Sequence, residues 1–260
     1  MIDLHSHILP GVDDGARDTY EAIEIIKDSV GDGVATIVAT PHFFTGGYMP
    51  SKEEIKDKIY KLTEAASSEG VSIRICPGSE CYVDYQLVGM VRDGKVMTIN
   101  DGGKYILVEF PRMELPSSAN DIFFQLQMEG ITPIIAHPER NVAIARDPNI
   151  LKHFIEKDIL AQVNVGSLLG FYGLEVQGVA KIIIAHRMAH IIASDSHRRG
   201  MAAKRSLTEG YRIVRSLLGD DEAFESIKET PKRILEGKGI RVPEPIEYRP
   251  KRSIWKRIFG

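Results

Sequence analysis

Seven short apolar, β-branched runs separated by longer stretches of helical period constrain the fold of this chain more than any other feature. The runs are IDL at the start, ATIVAT (35–40), VSIRIC (71–76), YILVEF (105–110), TPIIAH (132–137), LAQVNV (160–165) and HIIASD (190–195). Continuous apolar runs that alternate with helices are the pattern of parallel strands covered on both faces. Between the first two runs lies DTYEAIEIIKDSVGDG, where Asp18 and Glu21 form a capping box, apolar residues recur at helical spacing, and Gly31 and Gly33 end the element. Further helices are predicted at 51–68, 84–92, 118–129, 148–157, 174–187, 204–218 and 221–228. No repeat and no low-complexity linker divides the chain, so the pattern predicts one α/β domain closed as a seven-stranded barrel.

Charge and cysteine usage exclude several classes. A net charge of -3 gives no electrostatic footprint for nucleic acid, and no apolar run approaches the roughly 20 residues needed to cross a bilayer. The first segment interrupts its hydrophobicity with Asp3, His5 and His7 and lacks a basic lead, which reads as a cytoplasmic protein without a signal peptide. Cys76 and Cys81 are too few for a zinc-finger or disulfide framework. A phosphocysteine nucleophile needs an arginine shortly downstream, but Tyr82 and Leu87 stand six residues after the two cysteines. Residues 241–260 differ in character from the barrel at 1–240: three prolines precede KRSIWKRIFG, with six Lys or Arg against two Glu. The plain expectation is a tail that packs on the barrel or frays. Trp255, Ile258 and Phe259, interleaved with Lys256 and Arg257, also suit an anionic membrane surface or a partner.

In parallel α/β barrels the reactive groups project from the C-terminal ends of the strands. His5 and His7 close the first run, and a spacing of two puts both on one face of an extended chain. His42 ends the second run in TPH, Glu80 follows the third in PGSE, and Glu109 lies at the end of YILVEF. His137 ends TPIIAH, while Asp195 and His197 close the last run and repeat the spacing of two. Five of the eight histidines thus occupy strand ends; His153, His186 and His190 do not. A carboxylate such as Glu109 in an otherwise apolar strand is costly to desolvate unless a cation or donor meets it. Imidazoles and carboxylates converging without cysteine form a nitrogen and oxygen donor set suited to manganese, iron or zinc.

HSH near the N-terminus, VDDG, TPH, GSE, the strand-end Glu109, HPER and SDSH together resemble the polymerase and histidinol phosphatase (PHP) superfamily. More specifically, they resemble its bacterial protein-tyrosine phosphatase branch, which partners the tyrosine kinases of capsule and exopolysaccharide export. The resemblance runs from residue 2 to about 235. One departure is Asn141, where the family often has an aromatic directly after HPER. The resemblance implies a distorted TIM-like (β/α)7 barrel of PHP type with a three-metal cluster, most often manganese. It implies one metal held by His5, His7, Glu80 and Asp195, a second sharing Glu80 and adding Glu109 and His137, and a third on Asp14, His42 and His197. Either aspartate of VDDG could reach a metal from that loop; the resemblance favours Asp14, and Asp13 otherwise reads as a turn residue.

That resemblance further implies hydrolysis of phosphotyrosine on a bacterial tyrosine kinase without a phosphoenzyme; the alternative is a small-molecule phosphomonoesterase such as a histidinol phosphatase. Negative charge on phosphoryl oxygens favours a planar bidentate donor, and Arg140 in HPER is best placed. Arg198 and Arg199 follow SDSH at the same expected rim, with Arg199 taken as the assisting residue and Arg17 as a weaker candidate. FFTGGYMP (43–50), just after His42, is read either as an adjustable lip for a phenol ring or as aromatics packed on the barrel itself.

Overall fold

In chain order the elements are β1 (Ile2–Ser6), α1 (Thr19–Gly31), β2 (Thr36–Ala39), β3 (His42–Phe43), α2 (Lys52–Ser68), β4 (Arg74–Pro77), β5 (Glu80–Tyr82), α3 (Gln86–Arg92), β6 (Tyr105–Glu109) and α4 (Ala119–Met128). There follow β7 (Thr132–Ala136), α5 (Val142–Arg146), α6 (Asn149–Ile155), β8 (Leu160–Asn164), α7 (Val165–Leu168), α8 (Leu174–Ala185), β9 (Ile191–Ala193), α9 (Leu207–Leu218), α10 (Asp220–Phe224) and α11 (Thr230–Leu235). This computed structural model describes residues 1–201 and 205–250. The start of the helix predicted from 204, and the aromatic and basic residues after 250, lie outside the described residues.

Every strand pair is parallel, in the orders β1-β2-β4 and β3-β5-β6-β7-β8-β9. The seven predicted runs are the seven rungs of a barrel, but the second and third are each broken in two. Pro41 has no N–H for the ladder, so the second rung pauses there, and its upper half pairs with β5 alone, placing His42 opposite Glu80. In the third rung the step falls at Gly78, where a Cβ would lie 2.8 Å from Val38 Cγ1. The last rung closes on the first through a bridge from Ser6 to Ser196, with His7 N–H donating to Ser196 O at 2.8 Å and Asp195 N–H to His5 O at 2.9 Å. Buried Asp3 reinforces that seam by accepting from the backbone and hydroxyl of Ser194.

Helix boundaries follow the sequence closely, with local exceptions. Asp18 caps α1 by accepting from Glu21 N–H, yet the Glu21 carboxylate turns to Arg17 N–H and Nε, so only half of the expected capping box forms. In place of the single helix predicted at 221–228 there are α10, a π turn at Glu225–Glu229 and α11. Side-chain alternation then fixes what each rung offers. Tyr105 and Leu107 share a face with Glu109, and Leu160 shares one with Gln162 and Asn164. The apolar members join Val38, Cys76, Ile134 and Ile191 in a buried cluster, against which α11 packs Ile234 and Leu235.

Residues 241–249 lie along the barrel, consistent with the plain expectation for that part of the tail. Ile246 N–H donates to His186 O at 2.8 Å, the Tyr248 backbone exchanges two hydrogen bonds with the Asn149 side chain, and Val242 and Tyr248 pack on the core. No helix among the described residues is long and apolar enough to cross a membrane.

One buried histidine bears on stability rather than on the site. His190 precedes β9 and its Nδ1 accepts from Ala161 N–H at 3.2 Å; burial pushes its pKa down from 6.5 to about 4. A base whose pKa is lowered on folding is protonated first in the unfolded chain, so its contribution is intact above pH 6.5 and is lost as pH falls toward 4. The full loss is roughly 3 kcal/mol. Urea unfolding of the wild type and His190→Gln at pH 7 and pH 5 is expected to show the larger loss in the wild type. Equal losses would remove His190 from the acid response.

Candidate active site

Three of the loops after the rungs deliver donors by unusual backbone. His137 (φ 30) and Asp195 (φ 50) are left-handed non-glycine residues at strand ends, a conformation that persists only where surrounding contacts hold it. The loop after β1 doubles back on itself at Gly15, where a Cβ would lie 2.1 Å from His7 O; only glycine lets Asp13 and Asp14 return to the mouth. The two aspartates then take different parts. Asp13 is buried and its Oδ2 accepts from His7 Nδ1 at 2.6 Å and from His42 N–H at 3.0 Å, while Asp14 faces His42 and His197 at 3.4 and 3.6 Å.

His5 and His7 are both held with Nδ1–H on an acceptor by what stands behind them. Gln162 donates through Nε2 to Asn164 Oδ1, which orients its Oε1 toward His5 Nδ1 at 2.8 Å. With each Nδ1–H on an acceptor, the two Nε2 atoms face one another 3.1 Å apart. Around that point stand Glu80 Oε2, 3.3 Å from both Nε2 atoms, and Asp195 Oδ1, 3.5 Å from both. Both carboxylate oxygens are buried and receive no hydrogen bond. Buried lone pairs converging without a donor are costly unless a cation lies among them. The donor set therefore fits metal ions, and among the described residues three groups have ligand atoms within 4.8 Å of one another: His5, His7 and Glu80; His42, Glu80 and Glu109; and His7, Asp14, His42 and His197. His137 joins through Glu80 Oε1 at 2.9 Å and lies 3.7 Å from Glu109. All nine residues expected as ligands thus meet at one end of the barrel, with His7 and His42 lying closer to neighbouring groups than the expected partition had them.

The electrostatics describe a pocket that seeks positive charge. Burial opposes a charge on His7 and His42, but the carboxylates of Asp13, Asp14 and Glu80 outweigh it and push them up to about 10 and about 11. Burial and the nearby His7 push His197 down to about 4. The Glu80 and Asp195 carboxyls are held below the usual range, against burial, by the histidines around them. Burial and Glu80 raise Glu109. A cation entering such a cluster displaces protons from the imidazoles.

A cavity of ≈ 860 Å³ opens over the donors, lined among others by Arg140, Tyr172, Arg205, Phe44, Tyr48 and Tyr82. Arg140 donates to Asp195 Oδ2 at 3.1 Å and lies 4.7 Å from the centre of the Tyr172 ring. Arg199, expected to assist at the rim, lies instead outside the cavity lining, on the exposed Tyr20 ring 5.2 Å away. Arg198 turns to Gly15 O and Arg17 to Glu21. Arg205 occupies the place expected of them: it lines the cavity and donates to Asp195 O. The sequence RRGMAAKR after SDSH has no apolar periodicity by which Arg205 could be located. Gln162 and Asn164, by contrast, left a signal in AQVNV, where two polar side chains alternate through a buried run. At the departure after HPER, Asn141 caps α5 through Ala143 and Ile144 N–H and ties the turn to Pro111 O and Glu114 O.

The role of Asp13 leads to a specific expectation. Asp13→Asn keeps the shape but removes the charge that holds His7 in its tautomer, and is expected to lower metal affinity or activity by about 10- to 100-fold. Metal titration at constant pH checks this; affinity and turnover at wild-type levels would return Asp13 to a turn residue.

Comparison with known proteins gives the chain its relatives. A family model described as capsular polysaccharide synthesis, CpsB/CapC, matches residues 1–236. The chain is 36% identical over 197 residues to tyrosine-protein phosphatase YwqE of Bacillus subtilis, covering 76% of this chain and 77% of that protein. It is 33% identical over 246 residues to a putative tyrosine-protein phosphatase, CapC, of Staphylococcus aureus, covering 95% and 93%. Among solved structures, one from a study of YwqE from Bacillus subtilis and CpsB from Streptococcus pneumoniae, described as unique metal-dependent tyrosine phosphatases, superposes with a TM-score of 0.90 at 30% identity, covering 96% of this chain and 100% of that one. With nearly its whole barrel matched and its donors gathered at one mouth, this chain belongs to the CpsB/CapC capsular polysaccharide synthesis family.

Proposed function

We propose that this chain is a metal-dependent phosphomonoester hydrolase acting on phosphotyrosine in proteins. The observation that carries this is the meeting of Glu80 and Asp195 carboxylate oxygens that receive no hydrogen bond with a cluster of imidazoles and Arg140 at one open cavity. His5, His7, Glu80, Glu109, His42, Asp14 and His197 would hold divalent cations, which when bound would supply neutralisation of phosphoryl oxygens and a water of lowered pKa. The protein's own groups do the rest. Glu80 Oε2, equidistant from His5 and His7 and 3.1 Å from His42, suits a carboxylate shared between ions. Arg140, fixed from behind by Asp195 and Tyr172, presents a planar donor to the equatorial oxygens on which charge accumulates. A phenol, with a pKa of about 10, leaves without a strong general acid. Cys76 and Cys81 are buried and their thiols are pushed up by that burial, so neither serves as a nucleophile.

The donor chemistry and the named relatives support finer assignments, which we include in the proposal: manganese as the resident ion, residues 1–240 as the catalytic unit, a cytoplasmic location, and an autophosphorylated tyrosine kinase of capsule or exopolysaccharide synthesis as substrate. The test is elemental analysis of the purified protein with turnover on a phosphotyrosine peptide and on histidinol phosphate. Activity on the peptide, abolished by chelator, restored best by manganese and indifferent to thiol alkylation, is the expected result. Clear preference for histidinol phosphate would overturn the substrate assignment, and chelator resistance would overturn the chemistry.

A further inference from the structure

The cavity has two unlike walls. Arg140 and Tyr172 form one, already engaged with each other. The other is the segment after β3, whose Phe44 ring meets Tyr48 edge-on with centroids 5.7 Å apart and tilts against Tyr82 at 6.2 Å. That segment is a tight loop: Phe44 N–H donates to Tyr48 O at 2.7 Å and Gly47 N–H to Phe44 O at 3.2 Å. Its tightness seats the Phe44 ring directly on the Gly47 backbone, where a Cβ at 47 would lie 2.0 Å from ring atom Cε2 and 2.3 Å from Cζ. Gly47 is thus the floor on which the ring rests, and no left-handed backbone is required of it.

We infer that the Phe44 ring, held in place by Gly47 and flanked by Tyr48 and Tyr82, is the surface that selects aryl over alkyl phosphomonoesters. This rests on the phosphatase assignment and deepens it. Because His42 opens β3 and its ring centroid lies 6.5 Å from that of Phe44, the wall begins beside the donors that would take the phosphoryl group. A phenyl ring one ester bond from those donors meets an aromatic face, and edge or offset contacts between aromatic rings favour it beyond simple area burial. An alkyl chain gains only the area. Gly47 acts as a positioning residue, through Phe44.

The experiment removes leaving-group chemistry by using phosphonates that cannot be hydrolysed. Binding of benzylphosphonate and of propylphosphonate to the metal-loaded protein is measured by calorimetry and by competition against phosphotyrosine peptide. Wild type is expected to bind benzylphosphonate about 5- to 20-fold more tightly. In Gly47→Ala the new methyl group displaces the far end of a flexible ring rather than backbone, so the fold persists while the ring leaves its seat. That variant is expected to lose most of the preference, with propylphosphonate affinity and metal content retained. Phe44→Leu, which keeps an apolar side chain without a ring, is expected to do the same. Equal affinity of the wild type for the two ligands, or an unchanged preference in both variants, would overturn the inference and leave the phosphatase assignment standing. No hydrolysis of any phosphomonoester by metal-loaded wild type would instead overturn that assignment and this inference with it.

Discussion

Replacing His5 or Asp195 with alanine is expected to take phosphatase activity to background, a loss of about a thousand-fold or more, because each change removes a donor from the buried set that neutralises the phosphoryl group. His5 Nε2 and Asp195 Oδ1 lie 3.5 Å apart, and both residues are buried, so no solvent group replaces what is lost. Metal content should fall with activity. The fold should survive, since the rungs are held by backbone ladders and apolar packing that neither side chain supplies, and circular dichroism with thermal unfolding tests that separately. Asp195 carries an extra risk, because Asn164 and Arg140 donate to its Oδ2 and would be left without that acceptor. Asp195→Asn preserves one acceptor and serves as the check. A variant of either residue with full metal content and wild-type turnover would contradict the ligand set.

Arg140→Ala is expected to behave differently. Removing a charge-assisted donor aimed at developing negative charge costs about a hundred- to a thousand-fold in turnover. Asn164 still holds Asp195 Oδ2 at 2.6 Å, so metal content should stay near the wild-type value. Arg140→Lys should recover part of the rate at most, because an ammonium cannot present two parallel donors. Steady-state kinetics alongside metal analysis separates the outcomes: unchanged kinetics removes Arg140 from the reaction, and parallel loss of metal and rate reassigns it to holding Asp195.

Much of this was legible before any coordinate. The strand runs, most helix boundaries and the eight donors at strand ends follow from periodicity and from polar residues placed where apolar ones were due, and Asp14, in the loop after β1, came from the resemblance of VDDG. What was hidden depended on backbone that no period describes. The breaks at Pro41 and Gly78 alter which strands pair, and the pairing of His42 with Glu80 follows from them. Asp13 and Asp14 are chemically identical in sequence; only the return of the loop at Gly15 separates the one behind His7 from the one at the mouth. Arg199 and Arg205 differ in a similar way. Adjacency to SDSH favoured the first, whereas it is the second that lines the cavity.

The seam between the first and last strands sets an order on synthesis. His5 and His7 leave the ribosome first, yet their companion Asp195 and the bridge at Ser196 arrive nearly two hundred residues later. Until then β1 presents an unpaired edge, and long-range pairing of this kind is slow and open to aggregation. A chain cut short before β9 would therefore combine two fates: a set of metal donors lacking Asp195 and His197, and a sheet still looking for its missing neighbour.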